Sequence, residues 1–257
     1  MKQNTLLLLV IVLLCSGLIS CQKEIVTDIP PDPAPGSVKL KTYIEDARNT
    51  PFSSIDTFDI TYDVQDRIVS VIGRATGLKF LYAYQQASYV TDIKVVDHLI
   101  IRDVSFLNAA GWTDSTFQTN DEKDSSATRL IYNMSKQVVE ERLYTYTTET
   151  GSIPDGNSYY EYDANGNVVK YTEKAATGQT IAVTSYTYNG NLNTVFLTPT
   201  SRPLPYKNLP VTKSIYYPGS GTESSTYEYT YDSNNNVTSE KETGSDSSFV
   251  IKKYIYN

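Results

Sequence analysis

The sequence predicts an all-β protein: a large, curved antiparallel meander of hairpins, closed or nearly closed into a barrel-like sheet. Three observations predict it. Short stretches alternate rings with polar residues; in Tyr227-Glu228-Tyr229-Thr230-Tyr231 the tyrosines fall on one face and Glu228 and Thr230 on the other, the period-two pattern of a half-buried strand. Turn residues follow such stretches, as in Asp163-Ala164-Asn165-Gly166-Asn167 and Asp232-Ser233-Asn234-Asn235-Asn236, where Gly and Asn tolerate the positive φ of a tight hairpin. No stretch keeps apolar residues at helical spacing behind a cap. With 22 tyrosines and 12% aromatics in 257 residues, the chain is too rich in rings for disorder.

The first segment stands outside this pattern. Lys2 precedes an unbroken apolar run, Leu6 to Leu14, as in a secretory signal. The run is shorter than the roughly 20 apolar residues of a membrane-spanning helix. It ends in Leu18-Ile19-Ser20-Cys21, which resembles the lipobox of bacterial lipoprotein precursors. That resemblance implies cleavage before Cys21 and acylation of Cys21. Cys15 fits such a box badly, because Leu14 is not small. Removal of residues 1–20 would leave Cys21 as the lone cysteine, and losing Lys2 would take the formal charge from -7 to -8. An acidic body disfavours nucleic acid and anionic lipid as partners, so membrane attachment would rest on the lipid. Gln22 replaces the Asp linked to inner-membrane retention, and Lys23-Glu24 resembles a surface-export signal of some Gram-negative lineages. Residues 21–37 form a proline-dense linker around Pro30-Pro31-Asp32-Pro33-Ala34-Pro35. In polyproline II, at about 3.1 Å per residue, it reaches roughly 50 Å.

Residues 38–257 read as a single domain of about thirteen or fourteen strands. Val38 to Ile44 is the first. Phe58-Asp59-Ile60-Thr61-Tyr62 and Ile68 to Ile72 flank a degenerate copy of the turn, and Lys79 to Tyr84, Tyr89 to Val96 and His98 to Phe106 follow. Residues 108–128 do not alternate and read as a long polar loop carrying Trp112. Arg129 to Tyr132, Gln137 to Thr147 and Ser158 to Thr172 restore the rhythm, with Gly151 to Asn157 as a turn. Asn189-Gly190-Asn191 reads as a hairpin between Ile181 to Tyr188 and Leu192 to Leu197. Pro199, Pro203, Pro205 and Pro210 exclude a central strand from residues 198–212. Lys213 to Tyr217, Ser225 to Tyr231, Val237 to Thr243 and Phe249 to Tyr256 complete the sheet.

Tyr162-Asp163-Ala164-Asn165-Gly166-Asn167-Val168 and Tyr231-Asp232-Ser233-Asn234-Asn235-Asn236-Val237 resemble the YD repeats of RHS-type shell proteins. Asn208-Leu209-Pro210-Val211 before Ile215-Tyr216-Tyr217, with Tyr227 to Asp232, is similar to the final hairpins of uncharacterised, Bacteroidota-type lipoproteins whose C-terminal domain is described as porin-like. These resemblances imply a strongly curved sheet and no particular activity. The faces opposite the rings carry Asp59, Thr61, Glu228 and Thr230. A membrane-spanning barrel needs a lipid-facing apolar band there, so the rings are expected to line an interior or a groove instead.

Little in the sequence carries catalysis. His98 is the only histidine, in strand-like surroundings, so a triad or a zinc site would have to be built on it alone. The Asp-x-Asn-x-Asn runs lack the Gly and Glu of a calcium loop, and turn chemistry accounts for them. No cofactor, metal or catalytic residue is expected. The composite expectation is a non-catalytic, lipid-anchored outer-membrane or cell-surface protein. It would offer its sheet to a glycan, a peptide or a partner protein, with Trp112 as the candidate contact. The alternative is a structural or assembly factor of the envelope without a small ligand, and the third reading is a glycoside hydrolase.

Overall fold

A computed structural model describes residues 39–50, 54–121, 124–147, 151–195 and 207–257. The signal, Cys21 and the proline linker lie outside them. The described residues form sixteen strands in one closed barrel, each strand pairing antiparallel with its neighbours in sequence and β1 pairing with β16. The first half comprises β1 (Leu40–Asn49), β2 (Ile55–Tyr62), β3 (Ile68–Gly73), β4 (Leu78–Tyr84), β5 (Ser88–Val95), β6 (His98–Leu107), β7 (Thr113–Asn120) and β8 (Ser125–Tyr132). The second comprises β9 (Val138–Thr147), β10 (Gly151–Tyr162), β11 (Val168–Ala175), β12 (Thr180–Leu192), β13 (Asn208–Tyr217), β14 (Gly221–Tyr231), β15 (Val237–Gly244) and β16 (Phe249–Tyr256).

The even-numbered strands leave the barrel at what we term the lower rim. One turn recurs there five times, beginning at Asp63, Asn108, Asn133, Asp163 and Asp232. In each, the amide of the first residue donates to the carbonyl of the fifth, and the fourth residue (Asp66, Gly111, Lys136, Gly166 or Asn235) has positive φ. The side-chain oxygen of the first residue braces the loop. Asp163 Oδ1 accepts the amides of Asn165 and Asn167, and Asp232 Oδ1 those of Asn234 and Asn236. These are Asx turns, in which a short side chain replaces a backbone acceptor.

Each of these turns is followed by a register shift of one residue. The odd-numbered strand carries the extra residue, a β-bulge. Its first residue therefore points inward, the alternation then slips, and the third residue after it points inward again. Thus Val138 and Glu141 are both buried, as are Ile68 and Val71.

Residues at or next to the start of the odd-numbered strands seal the lower end. Leu40, Ile68, Val138, Val168, Leu209 and Val237 are all buried. Above them, Tyr43 and Phe58 stack face to face at 4.5 Å, part of a core with Ile60, Val71, Phe80 and Tyr254. A tyrosine at or near the end of the even strand ties seal to wall. The hydroxyls of Tyr62, Tyr84, Tyr132, Tyr162, Tyr188, Tyr229 and Tyr256 donate to the carbonyls of Leu40, Ile68, Thr113, Val138, Val168, Pro210 and Val237, at 2.5–2.9 Å. Within each pair of strands, the phenol of the second thus satisfies a carbonyl at the start of the first, so a polar tip is accommodated in an apolar seal. The β5–β6 pair alone carries a different residue, Leu107, at that place.

The upper half of the interior is polar. Glu45, Lys252 and Glu240 are direct cross-strand neighbours on β1, β16 and β15. Lys252 Nζ lies 3.5 Å from Glu240 and Lys213 Nζ 3.3 Å from Glu242. Burial would push Lys252 down, but Glu240, Glu45 and Glu242 outweigh it and hold the ammonium above its ordinary value. Burial pushes the Glu45 carboxyl up; Lys252 opposes the shift, while Glu240, Asp56 and Glu242 reinforce it. Burial pushes Asp56 upward too, but bonds from the Thr76 hydroxyl and the amides of Ala75, Thr76 and Thr57 bring it below its usual range.

Several sequence expectations are corrected. Residues 113–120 and 125–132 are strands, because a polar interior lets both faces of a strand be hydrophilic and so erases the alternation. Thr116, Gln118 and Asn120 face inward here, paired with Ser105, Asp103 and Ile101. Residues 151–157 belong to β10 rather than to a turn. A Cβ on Gly156 would come within 2.4 Å of the Lys174 carbonyl, so only glycine fits that approach. Asn189-Gly190-Asn191 is an irregular end of β12, not a hairpin. Pro210 lies within β13, at a register shift opposite Tyr188, where no ladder donor is needed. Pro199, Pro203 and Pro205 lie outside the described residues.

Candidate functional site

Most of the outer wall is hydrophilic and self-neutralised. Arg74 pairs with Asp59 at 2.7 Å, Lys79 with Asp97 at 2.8 Å, Arg102 with Asp92 at 2.7 Å, Arg142 with Glu140 at 2.9 Å and Lys170 with Glu161 at 2.8 Å. Hydrogen bonds from Arg74 and from Arg102 hold the Asp59 and Asp92 carboxyls below their usual range. Charges at mid-height on so many strands leave no continuous apolar band for lipid among the described residues.

One sector departs from this pattern. On the outside of β6 to β9, Val104, Phe117, Ala127 and Tyr144 sit directly beside one another in a single cross-strand row. Phe106, Ser115, Arg129 and Arg142 form the adjoining row, and Tyr146 lies on the far side, next to Ser125. Phe117 and Tyr146 meet edge to face at 5.6 Å. Phe106 remains 47% exposed and Tyr146 39% exposed, which sets this cluster apart from the buried rings inside. Together with Arg129 the rings line a shallow depression of about 340 Å³, at the small end of the roughly 300–1,000 Å³ typical of small-ligand sites.

The rings therefore do not all share the inner face, contrary to the sequence expectation. Tyr227, Tyr229 and Tyr231 do point inward, opposite Glu242, Glu240 and Val237. Tyr144 and Tyr146 point outward because the bulge after Val138 shifts the alternation, leaving Glu141 and Leu143 on the inside, opposite Leu130 and Thr128. In the sequence, Arg129 marks only the start of an expected strand. The sequence signal was present in the spacing Phe117, Tyr144, Tyr146, but strand direction and bulge position decide its face.

The residues singled out from sequence lie elsewhere. Trp112 is not an exposed loop residue. It is the fifth residue of the lower-rim turn that starts at Asn108, only 4% exposed, and it packs edge to face on Tyr132 at 5.7 Å. It belongs to the seal, with Lys136 over its ring at 5.9 Å. Cys21 lies outside the described residues. His98 is exposed at the upper rim, 3.3 Å from Asp121. The carboxylates of Asp163 and Asp232 are occupied by their own turns, Oδ2 of each accepting from the amide groups of Asn167 and Asn236. Among the described residues, no group of three or more His, Cys, Asp or Glu side chains is placed to hold a metal ion.

No protein-family model matches the chain, and no curated protein matches it. Its fold does have solved counterparts. It is similar to a porin-like protein from Bacteroides uniformis ATCC 8492, with a TM-score of 0.62 and 13% identity over 89% of this chain and 98% of that one. It is likewise similar to a porin-like protein from Bacteroides vulgatus ATCC 8482, with a TM-score of 0.62 and 12% identity over 86% of this chain and 99% of that one. At such identities the likeness establishes the closed antiparallel barrel and nothing finer.

Proposed function

We propose that this is a non-catalytic binding protein of the bacterial outer membrane or cell surface, anchored by acylation of Cys21 and carried clear of the bilayer by residues 21–37. The barrel stands in water and offers its outer wall over β6 to β9 to a glycan. The observation that carries this reading is the cluster of outward rings, Phe117 and Tyr144 half-buried and Phe106 and Tyr146 exposed, on a wall that elsewhere neutralises its own charges. Sugar rings present C–H faces that stack on aromatic side chains, whose polar edges also hydrogen-bond. A peptide is less well served. Sheets commonly seize peptides by adding them as a strand at an open edge, and a closed barrel has none. The porin-like neighbours support an outer-membrane setting, and the charged wall favours anchoring over spanning.

A glycan array probed with the protein and with Phe117→Ala and Tyr144→Ala variants tests the reading. Binding that falls in both variants supports it. An array without signal for the correctly folded protein leaves the alternative, a structural or assembly role in the envelope. The anchor is tested separately by mass spectrometry of the mature N-terminus; an unmodified Cys21 removes that half of the proposal.

A further inference from the structure

Within the reading of the outer wall as a glycan platform, on which this step rests, we infer that the ligand is an acidic glycan, whose carboxylate docks on Arg129. Arg129 is exposed, lines the depression beside Phe117 and Tyr144, and forms no ion pair among the described residues. Other arginines differ in this respect. Arg67, Arg74, Arg102 and Arg142 each hold a carboxylate within 2.9 Å.

The arrangement around Arg129 is also unusual. Its direct cross-strand partner is Arg142 on one side and Ser115 on the other. Like charges directly opposite on adjacent strands repel, and Glu140 neutralises only one of the two guanidiniums, since its carboxylate is held by Arg142 through Nε at 2.9 Å. One net positive charge is left over, and it sits within a ring-lined hollow on a chain whose formal net charge is -7. A local cation on an acidic body attracts a single anionic group while the rest of the surface repels a polyanion that lies flat along it. A uronic-acid sugar meets both demands at once. Its ring covers Phe117 or Tyr144, and its carboxylate accepts two parallel N–H bonds from the guanidinium fork.

The geometry separates the two parts of recognition, so the test can too. Titration calorimetry would compare a galacto-oligosaccharide carrying a single galacturonic acid residue with the neutral galacto-oligosaccharide of the same length, using the full mature protein and the Arg129→Ala, Arg129→Lys and Tyr144→Ala variants. Thermal melts would confirm that each is folded. The expected result is binding of the uronate oligomer that weakens as salt rises. Arg129→Ala should lose roughly ten- to hundredfold in affinity, the loss of a charge-assisted hydrogen-bond pair. Arg129→Lys should recover part of that loss, because it keeps the charge without the fork. Equal binding of acidic and neutral oligomers, unchanged in Arg129→Ala but lost in Tyr144→Ala, would overturn the acidic preference and leave the glycan platform standing. Failure of folded protein to bind either oligomer would overturn both.

Discussion

Two groups of rings in this barrel have the same chemistry and opposite situations. Inside the lower end, Tyr62, Tyr84, Tyr132, Tyr162, Tyr188, Tyr229 and Tyr256 are each tied by their hydroxyl to a backbone carbonyl. Outside, Phe106, Phe117, Tyr144 and Tyr146 lie along the wall of β6 to β9. The first group has its hydroxyls satisfied and is partly buried at the lower end of the interior. In the second, Phe117 and Tyr144 are half-buried, while Phe106 and Tyr146 keep much of their surface in water. The difference teaches that ring content alone says nothing about binding; what matters is whether the fold has already used the ring.

The comparison can be broken or sharpened by substitution. Phe58→Ala, which removes the buried partner of the Tyr43 stack, should cost about 3–5 kcal/mol in urea unfolding. A loss below about 1 kcal/mol would mean that the seal is loosely packed. Lys252→Met should cost about 3–5 kcal/mol by the same measurement, because it leaves Glu45 and Glu240 buried without their cation. A neutral result there would show that the upper interior is well hydrated. Tyr162→Phe deletes one hydroxyl and strands the Val138 carbonyl, a loss of about 1 kcal/mol. Tyr146→Ala on the outer wall should change stability by no more than about 1 kcal/mol while weakening ligand binding. The reverse outcome, a large stability loss with binding intact, would place Tyr146 among the structural rings.

The smallest effect is a pH dependence, and it has two signs. Asp63 and Asp163 have folded-state values below their ordinary 3.8: burial raises them, but bonds from the Arg67 amide and side chain, and from the Asn167 side chain and amide, prevail. Their contribution is present above pH 3.8 and is lost as pH falls through the lowered values. Glu45 runs the other way. Its folded value is raised above 4.5 by burial, so its contribution is present below 4.5 and is lost as pH rises through the raised value. Melting temperature measured from pH 2 upward should therefore fall steeply at the acid end. Glu45→Gln should flatten whatever decline appears above pH 4.5. An unchanged profile in that variant would mean that Glu45 keeps its ordinary affinity for protons.

Much of the fold was legible in the sequence, and the reason is the turn. Asp163 to Asn167 and Asp232 to Asn236 announce themselves because three positions are constrained at once: an oxygen at the first, a residue tolerant of positive φ at the fourth, an apolar residue just after. The copy at Asn108 meets the first two demands with Asn108 and Gly111, but Thr113 replaces the apolar residue and Leu107 stands where a tyrosine is expected, so it reads as a loop. The strands β7 and β8 were hidden because their inner faces look onto a polar interior. The candidate site on the outer wall was the least legible part. Phe117, Tyr144 and Arg129 come from three strands, and neither their adjacency nor their outward aspect is a local property of the chain.

The repeated bulge has a consequence for how such a protein can change. The bulge sets one surplus residue into a ladder that otherwise keeps its register: Val138 opposes Tyr132, and Glu140 and Glu141 oppose Ile131 and Leu130. A single-codon deletion of Val139 would therefore leave a regular strand with Leu143 still in the lumen and Tyr144 and Tyr146 still on the wall. A one-residue change in mid-strand would instead exchange an entire stave's wet and dry sides. The rim just after the lower turns is thus where a stave can gain or lose a residue without altering what the barrel displays.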